Sequence, residues 1–179
     1  VRMAAGDFGG AMECFNEALA ADPKLWQVHA LKGYLYDRRR DYDAAIAEYE
    51  KGIAVNGKSG MLFNNLGMSL YLKKDYPKAI DAYVKAVRID SANRRVFNNL
   101  GLALFKVGRY DEALQAFRQG GDEAAAYNNM GCLYLAEKKH PEAKAAFEKA
   151  ISLKPSYFAR ARENLKKTEA AIVSAPATP

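Results

Sequence analysis

Residues 94–117 read RRVFNNLGLALFKVGRYDEALQAF. Phe97, Leu100, Gly101 and Leu104 recur at i, i+3, i+4 and i+7, the spacing of one helix face. Gly108 stands where that helix should stop, because glycine tolerates the left-handed backbone that ends helices. Ala113, Leu114 and Phe117 then share one face of a second helix. The small residues Gly101 and Ala113 would let the two backbones approach closely. A helix pair of this size cannot bury its apolar faces alone and needs copies of itself on either side.

The chain supplies them. Gly33, Gly67 and Gly101 are spaced by 34 residues, and Gly131 follows after 30. Ala11, Ala45, Ala79, Ala113 and Ala143 keep the same steps, as do Phe15, Tyr49, Tyr83, Phe117 and Phe147, and Ala18, Gly52, Ala86, Gly120 and Ala150. Four registers in agreement make chance an implausible source. Pro23, Gly57, Ser91 and Pro155 close most units with a turn-favouring residue.

A helix–turn–helix period of 34 residues with this order of small and large side chains resembles the tetratricopeptide repeat. The resemblance rests on Phe97, Leu100, Gly101, Leu104, Ala113 and Phe117. It recurs at Phe63, Leu66, Gly67, Leu70, Ala79, Tyr83 and Ala86, and at Tyr127, Met130, Gly131, Tyr134, Ala143, Phe147, Ala150 and Pro155. Lys32 departs from the pattern by replacing the apolar residue before Gly33. The resemblance implies an all-α fold, a right-handed α-solenoid of antiparallel helix pairs. The expected array covers 1–172: a half repeat at 1–25, repeats at 26–59, 60–93, 94–123 and 124–157, and a cap helix at 158–172. Within the cap, Arg160, Arg162, Lys166 and Lys167 should face water, as the ends of such arrays require. Residues 173–179, VSAPATP, read as a disordered tail. Repeat four is four residues short, the loss falling after Gln119, so its second helix should be shortened. Residues 1–5 read as the end of a helix whose start lies upstream.

The chain has 179 residues, half of them apolar and 27% charged, with a net charge of +6. That balance suits a soluble array and fits acidic partners. No apolar run reaches the roughly 18 residues of a membrane span. Cys14 and Cys132 lie in the first and last repeats, too far apart in a linear stack for a disulfide.

Residues 52–59 fit the phosphate-loop pattern G-x-x-x-x-G-K-[ST]. That motif needs a preceding strand and free backbone N–H groups, whereas the repeat register puts residues 52–55 inside a helix, so an inter-repeat turn is expected. His29 and His140 are isolated, and no metal or other cofactor site is predicted. Asp41, Asp75, Asp111 and Glu112 suit helix starts rather than paired acid–base catalysis, and no catalytic residue is assigned. Arg38, Arg39 and Arg40 sit at a first-helix end, where positive charge is favoured.

In the family, the first helices line a concave groove. The resemblance therefore turns Asn65, Asn99 and Asn129 toward it, each beside its pair partner Asn64, Asn98 or Asn128. Asparagine offers both a donor and an acceptor, which suits the backbone of an extended peptide. The arrangement is similar to the asparagine ladder in the repeats of O-linked N-acetylglucosamine transferase. The same register adds Tyr34, Arg38, Met61, Met68, Tyr71, Arg95, Leu102, Phe105, Lys106, Cys132 and Leu135. The expected partner is a peptide with large apolar side chains and an acidic group. The family's carboxylate clamp would need Lys and Asn where Ala30 and Tyr34 stand, so it is incomplete.

These readings point to a non-catalytic scaffold that binds a protein or peptide segment in the groove, in a bacterial assembly or secretion complex. Nucleic-acid binding through the basic surface is an unfavoured alternative, since the basic residues are scattered. Self-assembly through the open N-terminal half repeat, giving a homo-oligomer, is another. Cytoplasm and periplasm are both left open.

Overall fold

The computed structural model describes residues 8–155 and 159–174. Among them are ten helices and no strand: α1 Phe8–Ala21, α2 Trp26–Arg38, α3 Tyr42–Val55, α4 Gly60–Leu72, α5 Tyr76–Ile89, α6 Arg94–Lys106, α7 Tyr110–Gly120, α8 Glu123–Ala136, α9 His140–Leu153 and α10 Ala159–Ser174. The fold is an all-α solenoid of helix pairs. The chain divides into two compact units, Val1–Val96 and Phe97–Pro179, the division falling within α6.

The glycine register explains how each pair closes. A Cβ built on Gly33 would lie 2.6 Å from the Tyr49 ring. Gly67 stands in the same relation to Tyr83, Gly101 to Phe117 and Gly131 to Phe147, each at 2.7 Å. Every pair is thus an aromatic ring of the second helix seated on a bare stretch of the first. All four rings are almost completely buried, each contributing about 1.5–3 kcal/mol on burial. Around Tyr49, the first unit packs Ala30, Ala45 and Leu62, flanked by Trp26 and Ile53. Ala11, Phe15 and Val28 join α1 to α2. In the second unit, Ala143 and Phe147 pack against Ala161 of α10.

The turns inside the pairs share one geometry. Arg40, Lys74, Gly108 and Lys138 all have positive φ (61°, 71°, 77° and 58°) and occupy one register position. The next residue, Asp41, Asp75, Arg109 or Lys139, donates its N–H to the last turn of the first helix and serves as N-cap of the second. Asp41 and Asp75 also accept from Ala44 and Lys78 N–H groups, at 3.2 and 3.3 Å. Only one of the four left-handed positions is glycine, although a side chain there costs about 1–2 kcal/mol. Lys74→Gly should therefore raise stability by about 0.5–1 kcal/mol, after the backbone entropy of glycine is subtracted. Urea unfolding checks this; a loss of stability would contradict the shared turn.

The shortened second helix appears as predicted. α7 has 11 residues against 14 in α3, α5 and α9. Asp122 then caps α8 through the Ala125 N–H at 2.8 Å. Residues 52–55 lie in α3, and the Asn56 N–H bonds back to the Gly52 carbonyl at 2.8 Å, so the phosphate-loop match is a helix end. α10 runs to Ser174, two residues beyond the expected cap, so Val173 and Ser174 are helical. Arg162, Lys166 and Lys167 are exposed. The Arg160 side chain and residues 1–7, 156–158 and 175–179 lie outside the described set.

Candidate functional site

In the first unit, an open cleft of about 860 Å³ lies between the starts of α4 and α6. Gly60, Met61, Asn64 and Asn65 line it from α4, and Asp90, Ala92 and Asn93 from the turn after α5. Arg94 and Arg95, the first residues of α6, complete it. Met61 is half exposed. The Asn64 amide donates to the Asn65 side-chain oxygen at 3.3 Å, so the two amides form one polar strip. Both arginines are exposed. Of the predicted residues, Asn64, Asn65, Met61 and Arg95 meet here.

Arg94, Asn93 and Asp90 were missed by the groove register, and of these only Arg94, beside Arg95, carries a readable signal. Two arginines in the first turn of a helix oppose its dipole, which favours anions there.

The other predicted residues fall into two groups. Tyr34 is exposed and bonds Arg38, which donates from Nη1 to the tyrosine oxygen at 3.3 Å. Met68 and Tyr71 are half-buried, and the Tyr71 ring packs on Tyr76 at 5.3 Å between centroids. In the second unit, Asn129 is half-buried. Lys106 is bound to Glu137 at 3.0 Å. Two positions depart from the groove reading. Phe105 is only 1% exposed and packs on Tyr110 and Tyr134, both at 5.0 Å, so it offers no surface to a partner. Asn99 is 9% exposed, which removes the middle member of the proposed ladder from easy reach. Asn98 donates to the Gly120 carbonyl at 3.4 Å and so braces the end of α7. The Asn128 side-chain oxygen is buried without a described partner.

Two buried polar networks in the first unit were not anticipated. Lys32, the departure from the repeat pattern, donates to the Asn16 side-chain oxygen at 3.1 Å and faces Glu48 at 3.5 Å. Glu48 also receives Lys51 at 2.8 Å and pairs with His29 Nδ1 at 2.7 Å. Burial pushes the Glu48 carboxyl up, but the bonds from Lys51 and His29 and the charge of Lys32 outweigh it, and its pKa is lowered. In the second network, Tyr49 and Ser69 hydroxyls donate to the two Asp37 oxygens at 2.9 and 2.7 Å. Burial raises the Asp37 carboxyl against those bonds.

Among the described residues no group of three or more His, Cys, Asp or Glu could hold a metal ion. Cys14 and Cys132 are free thiols. No described helix is long and apolar enough to cross a membrane.

A stack of helix pairs built on a glycine–aromatic register, with an open cleft at its first helices, defines a helical-repeat protein. Models of the tetratricopeptide repeat match residues 1–57, 67–108 and 124–157, and the chain belongs to the tetratricopeptide repeat family. Comparison with curated protein sequences finds no match. Among solved structures, the crystal structure of MamA is 24% identical with a TM-score of 0.69, over 90% of this chain and 92% of that one. YrrB, described as a TPR protein with an unusual peptide-binding site, is 21% identical with a TM-score of 0.60, over 89% and 84%. The second TPR of Spaghetti (RPAP3), bound to the HSP90 peptide SRMEEVD, is 25% identical with a TM-score of 0.53, over 56% and 94%.

Proposed function

We propose that the chain is a non-catalytic protein-interaction scaffold that takes up an extended partner segment at its first helices. The observation that carries this reading is the convergence of Met61, Asn64, Asn65, Arg94 and Arg95 on one open cleft. Paired asparagine amides match the alternating donors and acceptors of an extended backbone. Two exposed guanidinium groups favour a carboxylate, which they can grip in a bidentate fashion. Met61 offers an adaptable apolar contact. The partner segment is therefore extended, with at least one acidic and one large apolar side chain. The peptide seen on the RPAP3 repeats, which contains adjacent glutamates, supports this chemistry, and the peptide-binding site of YrrB supports peptide binding on such repeats.

The test is fluorescence anisotropy with two labelled heptapeptide sets, one alternating leucine with glutamate and one alternating leucine with lysine. The acidic set should bind more tightly. Arg94→Ala with Arg95→Ala should weaken it by about tenfold or more, the value of one or two charge-assisted bonds. Asn65→Ala should weaken it by about fivefold. All three side chains lie at the surface or half-buried, so circular dichroism should show an unchanged fold. Equal binding of both sets, or no loss in the arginine variant, would reject the cleft as the contact.

A further inference from the structure

A second cleft, of about 320 Å³, opens in the other unit between the second helices α7 and α9, with α8 as its floor. Leu114, Met130 and Ala145 make its apolar lining, and the rings of Tyr110, Tyr127 and Tyr134 form its walls. Asp111 and Glu142 lie at its edge, both exposed. We propose that this cleft receives an arginine or lysine side chain from a basic segment of a partner protein. It is separate from the α4–α6 cleft and does not depend on it.

The repeat register supplies an internal control. In the first unit, the residue equivalent to Asp111 is Asp43, and it forms an ion pair with Lys73, the C-cap of α4. The equivalent C-cap of α8 is Glu137. The equivalent of Glu142 in α5 is Lys78, which pairs with Asp75 at 3.2 Å. At both places a cation of the first unit is replaced by a carboxylate in the second. Asp111 and Glu142 therefore take part in no ion pair among the described residues. Asp81, at the equivalent position of α5, becomes Ala145, so the α9 side of the cleft carries only a methyl group there.

The nearby cations are committed elsewhere. Lys139 packs over the Tyr110 ring, 4.7 Å from its centroid, bonds the Tyr110 oxygen and pairs with Glu137 at 3.3 Å. Arg118 lies 5.8 Å from the Tyr127 centroid and pairs with Glu123 at 2.7 Å. These contacts show that the tyrosines already attract positive charge from outside the cleft. The inside combines aromatic walls, an apolar floor and two unpaired carboxylates at the mouth. A side chain with an apolar stem and a cationic head satisfies all three, since a cation is drawn to an aromatic face and the stem buries its methylenes. A carboxylate-bearing side chain would meet like charge at the mouth.

The probe is the blocked pentapeptide acetyl-Ala-Arg-Leu-Arg-Ala-amide, titrated into the whole chain and followed by amide and methyl NMR. Its control carries glutamine at both arginine positions. The arginine peptide should shift the signals of Leu114, Met130 and Ala145, and the glutamine peptide should leave them in place. Asp111→Asn with Glu142→Gln should raise Kd by about tenfold or more, because both rim charges are lost. Ala145→Leu, which keeps both carboxylates and fills the α9 side of the cleft, should also abolish the shifts of Leu114 and Met130. The three altered side chains are exposed, so the fold is retained. Equal shifts from both peptides, an unchanged Kd in the rim variant, or shifts confined to Asn64, Asn65 and Arg95 would each overturn the proposal.

Discussion

Glu48→Gln is expected to destabilise the first unit by about 3–5 kcal/mol, the usual cost of breaking a buried ion pair from one side. The Glu48 side chain is 6% exposed and Lys32 11%, so losing the carboxylate leaves a buried ammonium beside neutral oxygens alone, those of Asn16 and the new amide. The loss is that of an unpaired charge, and it should therefore disappear when the charge does. Lys32→Leu combined with Glu48→Leu should recover most of the stability, since an apolar pair of similar volume often equals a buried ionic one. A double-mutant cycle by urea unfolding measures this. Independent, additive losses at the two positions would contradict the network.

The same carboxyl fixes a pH dependence. Its pKa is lowered in the folded state from the ordinary 4.5. Its contribution is therefore complete above 4.5 and is lost as pH falls through the lower folded value. Asp37, whose pKa is raised by burial, acts in the opposite sense: stability is gained as pH falls through its folded value. Comparing wild type with Glu48→Gln cancels the Asp37 contribution. The stability difference between them should shrink below about pH 4.5.

Gly67→Ala is the second large expected effect, a loss of about 1–3 kcal/mol. Alanine is intrinsically better than glycine inside a helix by about 1 kcal/mol, so propensity alone predicts the opposite sign. The new methyl would lie 2.7 Å from Tyr83 Cε1. That ring is 1% exposed, and burial also raises its hydroxyl pKa, so it has nowhere to retreat. Tyr83→Leu should be destabilising by itself, yet it should largely remove the penalty of Gly67→Ala. A stabilising Gly67→Ala would refute the ring-on-glycine account for all four pairs.

The repeated glycines made the helix pairs legible in the sequence, because only a residue without a side chain fits under those rings. Gly108 announced its turn for the same kind of reason. Arg40, Lys74 and Lys138 did not, since they adopt the left-handed backbone against their own preference. The four missing residues after Gln119 could be read as a short α7 from the period alone. The site was harder to read. Helical register shows which face a side chain occupies, but not whether another element covers that face. Phe105 sits at a groove position and is covered by Tyr110 and Tyr134. Lys32 stood out as an anomaly, yet its partner Glu48 required knowing which face α3 turns toward α2. Asp90 and Asn93 entered the cleft from a turn, where periodicity carries no information.

The side-chain bonds Asp37–Ser69, Asp122–Lys154 and Cys132–Asn164 each join residues 32 positions apart, about one repeat. Each glycine meets its ring only 16 residues later in the chain. Contacts that reach back so little have consequences during synthesis. As a helix pair leaves the ribosome, the pair before it has already emerged, and the only other neighbour it needs is the next to be made. The chain can then acquire its fold from the N-terminal end at the pace of translation, with little apolar surface waiting for a distant partner.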